Sequence, residues 1–237
     1  MIETAGAFVL SYLKYGDTSL ILKCFTEQFG YKTFLLKGAF SSTKNKKHHY
    51  LFYLNEVEIS FYQKRNEALE LVKNISQGQI FETLHSNVFK SSILTFLAEI
   101  LNQSLKNGEA KDVPLYNFLK NSLTAFDKKS EYFSDFHLYF LLEFSKYLGF
   151  FPLEENFSLP YFNLQEGIFS LRSKNTSNEE NAVLWNKLLQ YDFAKPCNCF
   201  TSAQRKQMLD EMLNYYEFHQ TNFRKPLSLE VLKVVFS

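Results

Sequence analysis

The chain has 237 residues, of which 46% are apolar, including 26 Phe and 14 Tyr; ring burial on this scale excludes a chain that is disordered throughout. No run approaches the roughly 20 consecutive apolar residues of a membrane helix, and Met1-Ile2-Glu3-Thr4 lacks the basic-then-apolar layout of a secretory signal, so the chain reads as soluble and cytoplasmic with no membrane partner. The net charge of +1 is uneven: residues 1–79 hold ten Lys or Arg against seven Asp or Glu, and no acid stands between Glu27 and Glu56.

Up to about residue 76, β-branched and aromatic runs alternate with turn signals, the pattern of a small all-β unit. Strands are predicted at Gly6 to Lys14, at Ser19 to Phe25 after the turn Tyr15-Gly16-Asp17, and at Tyr31 to Lys37 after the bend Phe29-Gly30. A fourth runs from about Phe52 to Tyr62, where Glu56-Val57-Glu58-Ile59-Ser60-Phe61 alternates polar and apolar, and a fifth from Leu69 to Ile75. Phe8-Val9-Leu10 and Leu20-Ile21-Leu22 are apolar on both faces, so the unit should be a barrel whose outside is partly covered, with the next part of the chain, which changes period near residue 88, as the expected cover.

Beyond residue 88 the period becomes helical. Ile93, Phe96, Leu97, Ile100, Leu101 and Leu105 line one face of a helix from Ser91 that closes at Lys106-Asn107-Gly108. A second helix carries Leu115, Phe118, Leu119, Leu123 and Phe126, and a third runs from Phe136 to Leu148 before Gly149; the three are expected to pack as a bundle. Pro152, Pro160 and Gly167 interrupt the rhythm over 150–175, where Tyr161 to Leu164 and Gly167 to Leu171 suit a short hairpin. Three more helices are predicted near Asn181 to Tyr191, Thr201 to Thr221 and Ser228 to Phe236, the middle one opening on the capping-box spacing Thr201-Ser202-Ala203-Gln204. The fold class is therefore α+β: a five-stranded β-barrel domain over 1–79, followed by a mainly helical domain over 80–237 with an irregular or hairpin insertion.

The odd cysteine count, Cys24, Cys197 and Cys199, lacks framework spacing and predicts free thiols. Cys197-Asn198-Cys199 with His219 falls short of a tetrahedral zinc set, so neither metal nor cofactor is expected. No Ser/His/Asp grouping, phosphate-cradling glycine loop or paired carboxylate can be placed, which argues against an enzyme.

Gly16 to Leu22, Phe29-Gly30, Lys37-Gly38-Ala39, Leu148-Gly149-Phe150-Phe151-Pro152 and Ser228 to Leu232 occur in an order that resembles the RecO family of bacterial recombination mediators, in wording similar to its Bacteroidetes members. The resemblance implies an OB-fold that binds single- and double-stranded DNA, promotes annealing, works with a RecR-like partner and the C-terminal tail of single-strand-binding protein, and resides in the cytoplasm with the nucleoid. Two departures stand out: Phe40 occupies the place where many relatives carry an arginine, and residues 155–175 contain none of the four cysteines that bind zinc in many of them.

For polyanion binding, Lys32, Lys37, Lys44, Lys46, Lys47 and His48 supply cations on one strand and its outgoing loop, and Lys64 and Arg65 supply two more in the turn between the last strands. Lys14 and Lys23 rank lower. Tyr31, Phe34, Tyr50 and Tyr53 are candidates for stacking on unpaired bases. Arg205, Lys206, Arg224 and Lys225 could rim a groove for an acidic tail with apolar last residues. A solvated lysine loop on a protein-only adaptor and an RNA-binding barrel are the rival readings.

Overall fold

The structure, a computed structural model, describes residues 1–40, 50–63, 69–106, 108, 110–153, 155–195 and 198–236. The five β-rich runs form β1 (Ile2–Tyr15), β2 (Ser19–Thr26), β3 (Gly30–Leu36), β4 (Glu56–Tyr62) and β5 (Glu70–Gln77), closed in the order β1-β2-β3-β5-β4. Among the described residues of the barrel, β3 and β5 pair in parallel and the other pairs are antiparallel. The chain therefore has the predicted α+β class, an OB-type barrel followed by a helical region. β1 begins earlier than the periodicity suggests because it serves two neighbours, pairing with β4 through Ile2 to Phe8 and with β2 through Ala7 to Tyr15 across a bulge at Val9/Ser11. A register row from Leu13 through Ile21, Leu35, Leu71 and Tyr62 returns to β1 at Ile2, the stagger that closure of a barrel demands.

Val9, Leu22, Cys24, Phe34, Leu36, Val57, Ile59, Phe61, Val72 and Ile75 fill the barrel. Phe61 meets Phe34 and Phe29 edge-on at 5.1 and 5.4 Å. β4 starts at Glu56 rather than near Phe52 because Leu54 adopts φ 56° and segment 54–55 bonds to β1, with Leu54 N donating to Val9 O and Val9 N to Asn55 O.

Helices α1 (Val88–Leu105) and α2 (Val113–Lys128) follow. α1 opens at Val88 instead of Ser91 because the Asn87 side chain accepts from the Phe89 and Lys90 amides. The outward rings of Phe8 and Phe25 pack on Tyr116 of α2 at 4.9 and 6.4 Å, which supplies part of the expected outer cover. Tyr116 in turn donates to the buried Glu56 carboxylate at 2.7 Å. At the far end of α2, buried Lys90 donates to Phe126 O and Asp127 O, both at 2.9 Å, and so satisfies carbonyls that the helix terminus orphans.

The remaining elements are α3 (Phe136–Leu148), the hairpin β6 (Tyr161–Asn163) and β7 (Ile168–Ser170), α4 (Glu179–Leu189), α5 (Ser202–His219) and α6 (Leu229–Val235). The chain divides into two compact units, Met1–Asp127 with Pro226–Ser228, and Lys128–Lys225 with Leu229–Ser237. The expected bundle of the first three helices is therefore corrected: α1 and α2 belong with the barrel, whose two-faced strands need covering, while α3 packs with α4 and α5. Within the second unit, buried Trp185 stacks on Phe162 of the hairpin at 4.2 Å and meets Tyr215 of α5 at 5.2 Å.

Candidate nucleic-acid interface

Strand alternation decides where the basic residues of the barrel point. On β3, Lys32 shares a face with Phe34 and Leu36 and lies opposite the core residue Cys24 in register, so its stem follows the interior face and it is half-buried. Lys37 lies just past the strand, in the turn that follows, and is exposed. Five residues of extended chain separate their Cα atoms by roughly 16 Å. Of the two described lysines of the predicted patch, one is thus half-buried on the strand and the other exposed in the turn beyond it. Lys44, Lys46, Lys47 and His48, and likewise Lys64 and Arg65 between β4 and β5, lie outside the described residues. Lys23 is half-buried on the outer face of β2, whereas Lys14 is exposed near the β1–β2 turn.

The rings read as stacking candidates divide sharply. Phe34 is fully buried in the barrel, so its face is spent on packing and cannot meet a base. Tyr31 is also buried; its hydroxyl donates to Asn102 Oδ1 at 2.9 Å, and burial with the neighbouring Cys24 pushes its pKa up to about 12. These two assignments are corrected, because both rings anchor the barrel to its own core and to α1. Tyr50 packs against the core cluster. Tyr53 is only half-buried and stacks with Tyr12 at 5.6 Å and an interplanar angle of 24°. Tyr12, Tyr15, Phe40, Phe52 and Tyr62 are exposed aromatics that the sequence reading passed over as stacking groups. Tyr15 and Tyr62 end β1 and β4, Phe40 and Phe52 lie outside the strands, and Tyr12 lies in the last third of β1.

In the second unit a cleft of about 140 Å³ opens between α5 and α6, with Leu209, Leu232 and Phe236 as apolar floor and Lys206 and Lys233 at its edge. Lys206 is thus placed where a cationic rim is useful. Arg205 also lines the cleft but is buried, its Nε donating to Asp135 Oδ1 at 2.7 Å and its second amino group to Phe200 O at 3.1 Å. The rim role expected of Arg205 is corrected to a structural one, because Asp135 is wholly buried and needs a cation. Arg224 and Lys225 are exposed and do not line the cleft; Lys225 donates to Asn214 Oδ1 at 2.8 Å. Lys233, absent from the predicted set, pairs with Asp210 at 3.0 Å. His137 lies beneath the cleft, where burial, followed by the Arg205 charge, drives its pKa down to about 3.

Among the described residues no cluster of three or more His, Cys, Asp or Glu has the arrangement of a metal site, and no helix is long and apolar enough to cross a membrane. Cys24 is buried and Cys199 half-buried, the latter's Sγ donating to Lys187 O at 3.9 Å, while Cys197 lies outside the described residues.

Comparison with known proteins adds an independent line. Residues 1–81 match the family model for the recombination protein O N-terminal region, and residues 85–225 match the model for its C-terminal region. The chain is 40% identical to the DNA repair protein RecO of Flavobacterium johnsoniae over 98% of both chains. It is 38% identical to that of Flavobacterium psychrophilum over 98% of both, and 35% identical to that of Christiangramia forsetii over the full length of both.

Proposed function

The chain belongs to the RecO family, which places it among DNA repair and recombination mediators, and from that premise we propose that it grips single- and double-stranded DNA through the phosphate backbone and promotes strand annealing without catalysing a covalent step. The observation that carries the reading is the closed five-stranded barrel, encoded with an acid-free, lysine-rich stretch between Glu27 and Glu56. OB-type barrels hold nucleic acid on strands β2 and β3 and on the loops that flank them, and cations along that path release counterions from phosphates on binding. Lys32, Lys37, Lys44, Lys46, Lys47, His48, Lys64 and Arg65 are the cations assigned to this work, on a DNA-binding domain spanning 1–79.

Within the helical part, 80–237, the second compact unit takes the protein contacts. The cleft between α5 and α6 joins an apolar floor to Lys206 and Lys233, which suits the acidic, apolar-ended C-terminal tail of single-strand-binding protein. A RecR-like partner completes the assembly, in which recombinase is loaded on DNA in the cytoplasm, at the nucleoid. A strand-annealing assay with complementary oligonucleotides, with and without single-strand-binding protein, tests the proposal. Acceleration in both conditions supports it. Retention of partner proteins after nuclease treatment, together with no acceleration and no DNA binding, favours a protein-only adaptor. Tighter binding of matched RNA than of DNA favours an RNA-binding barrel.

A further inference from the structure

We propose that Tyr12 and Tyr53 form a stacking platform for unpaired bases, which would make the protein discriminate single strands from duplex; this deepens the nucleic-acid reading and rests on it. The platform arises from the fold. Beyond the bulge of β1, Tyr12 pairs in register with the core residue Leu22, so it stands on the face of the strand that continues the barrel interior toward the β1–β2 turn. Segment 54–55 is bonded to Val9 of β1, which brings Tyr53 alongside. The two rings lie 5.6 Å apart and 24° from parallel, an offset stack. Tyr12 nevertheless remains 41% exposed, unlike the rings of the core.

Lys14 lies on the same face of β1 two residues on, is exposed, and forms no ion pair among the described residues. Ring faces beside a solvated cation at the mouth of the β1–β2 hairpin match the chemistry of an unstacked nucleotide, whose base needs a π surface and whose phosphate needs a positive charge. A duplex keeps its base faces stacked within the helix and offers only phosphates and groove edges. The ring pair therefore contributes to single-strand affinity alone, whereas the lysines contribute to both.

The test is fluorescence anisotropy with labelled oligo-dT and with a labelled duplex, on the full chain and on Tyr12→Leu, Tyr53→Leu and Tyr12→Phe. Each leucine variant should bind oligo-dT about tenfold more weakly, the loss of roughly one base stack, with duplex affinity unchanged. Tyr12→Phe, which keeps the ring, should retain wild-type binding. Undiminished oligo-dT binding by the leucine variants, or equal loss on both DNA forms, overturns the platform while leaving the DNA reading intact. If the unsubstituted chain retains neither DNA, both the reading and the platform fall. Ultraviolet cross-linking of the unsubstituted chain to a bromodeoxyuridine-substituted strand removes any dependence on variant folding: adducts at Tyr12 or Tyr53 support the platform, and adducts confined to other residues overturn it.

Discussion

Arg205 shows how a charge that reads as surface in a sequence becomes structural in a fold. Asp135, ahead of α3, is fully buried and accepts from Arg205 Nε at 2.7 Å and from the Cys199 and Phe200 amides at 2.6 and 3.0 Å. Removing the guanidinium leaves that carboxylate without its cation in a dry site. Arg205→Ala should therefore cost about 3 to 5 kcal/mol of unfolding free energy in urea, well above the change of an exposed pair such as Lys146 with Glu143. A cost below about 1 kcal/mol would return Arg205 to the surface role. His137 gives a second prediction, for pH. Its folded pKa of about 3 lies below the unfolded value of about 6.5, so the unfolded chain binds a proton that the native chain refuses. Its contribution is complete above pH ~6.5 and is lost as pH falls toward 3, by on the order of 1.4 kcal/mol per unit. Urea unfolding of the parent and His137→Leu between pH 7 and 5 should show a shallower pH slope in the variant; identical slopes would refute it.

Elements whose ends carry local chemistry were legible from the sequence. The third helix stops at Gly149, which takes φ 82° and donates to Lys146 O. The capping box of α5 is present as spaced, with Thr201 Oγ1 accepting from Gln204 N at 3.3 Å and Gln204 Oε1 accepting from Thr201 N at 3.2 Å. Thr201→Ala should lower stability by about 1 kcal/mol in chemical denaturation, and no change would mean that the box is frayed in solution. What stayed hidden depends on distant partners. The early start of β1 is set by pairing with β4, some 50 residues away in sequence, and the late start of β4 by the bonds from segment 54–55 to Val9. The helical pattern announced apolar faces for α1, α2 and α3, and the stretch after residue 88 was expected to cover the barrel, as α2 does; periodicity did not say that α3 belongs to the other unit, so the three were grouped as one bundle. The same ambiguity misled the stacking assignments: Phe34 and Tyr31 are aromatic and near lysines in sequence, but alternation turns one into the core and a hydrogen bond ties the other to α1.

For the whole molecule, the barrel's cations have to act together on a polyanion, since of the described pair Lys32 is half-buried on β3 and Lys37 is exposed in the turn beyond it. Reversing charge at Lys44, Lys46 and Lys47 together to Glu should weaken single-strand binding sharply, because each cation lost is a phosphate contact and its counterion release lost. The most direct measurement is the dependence of oligo-dT affinity on salt, by anisotropy on the intact protein. The account predicts a straight line of log affinity against log salt that falls by roughly 0.7 for each phosphate contacted, with a shallower line for the triple Glu variant. Affinity that ignores salt, or an unchanged line in the variant, would contradict it.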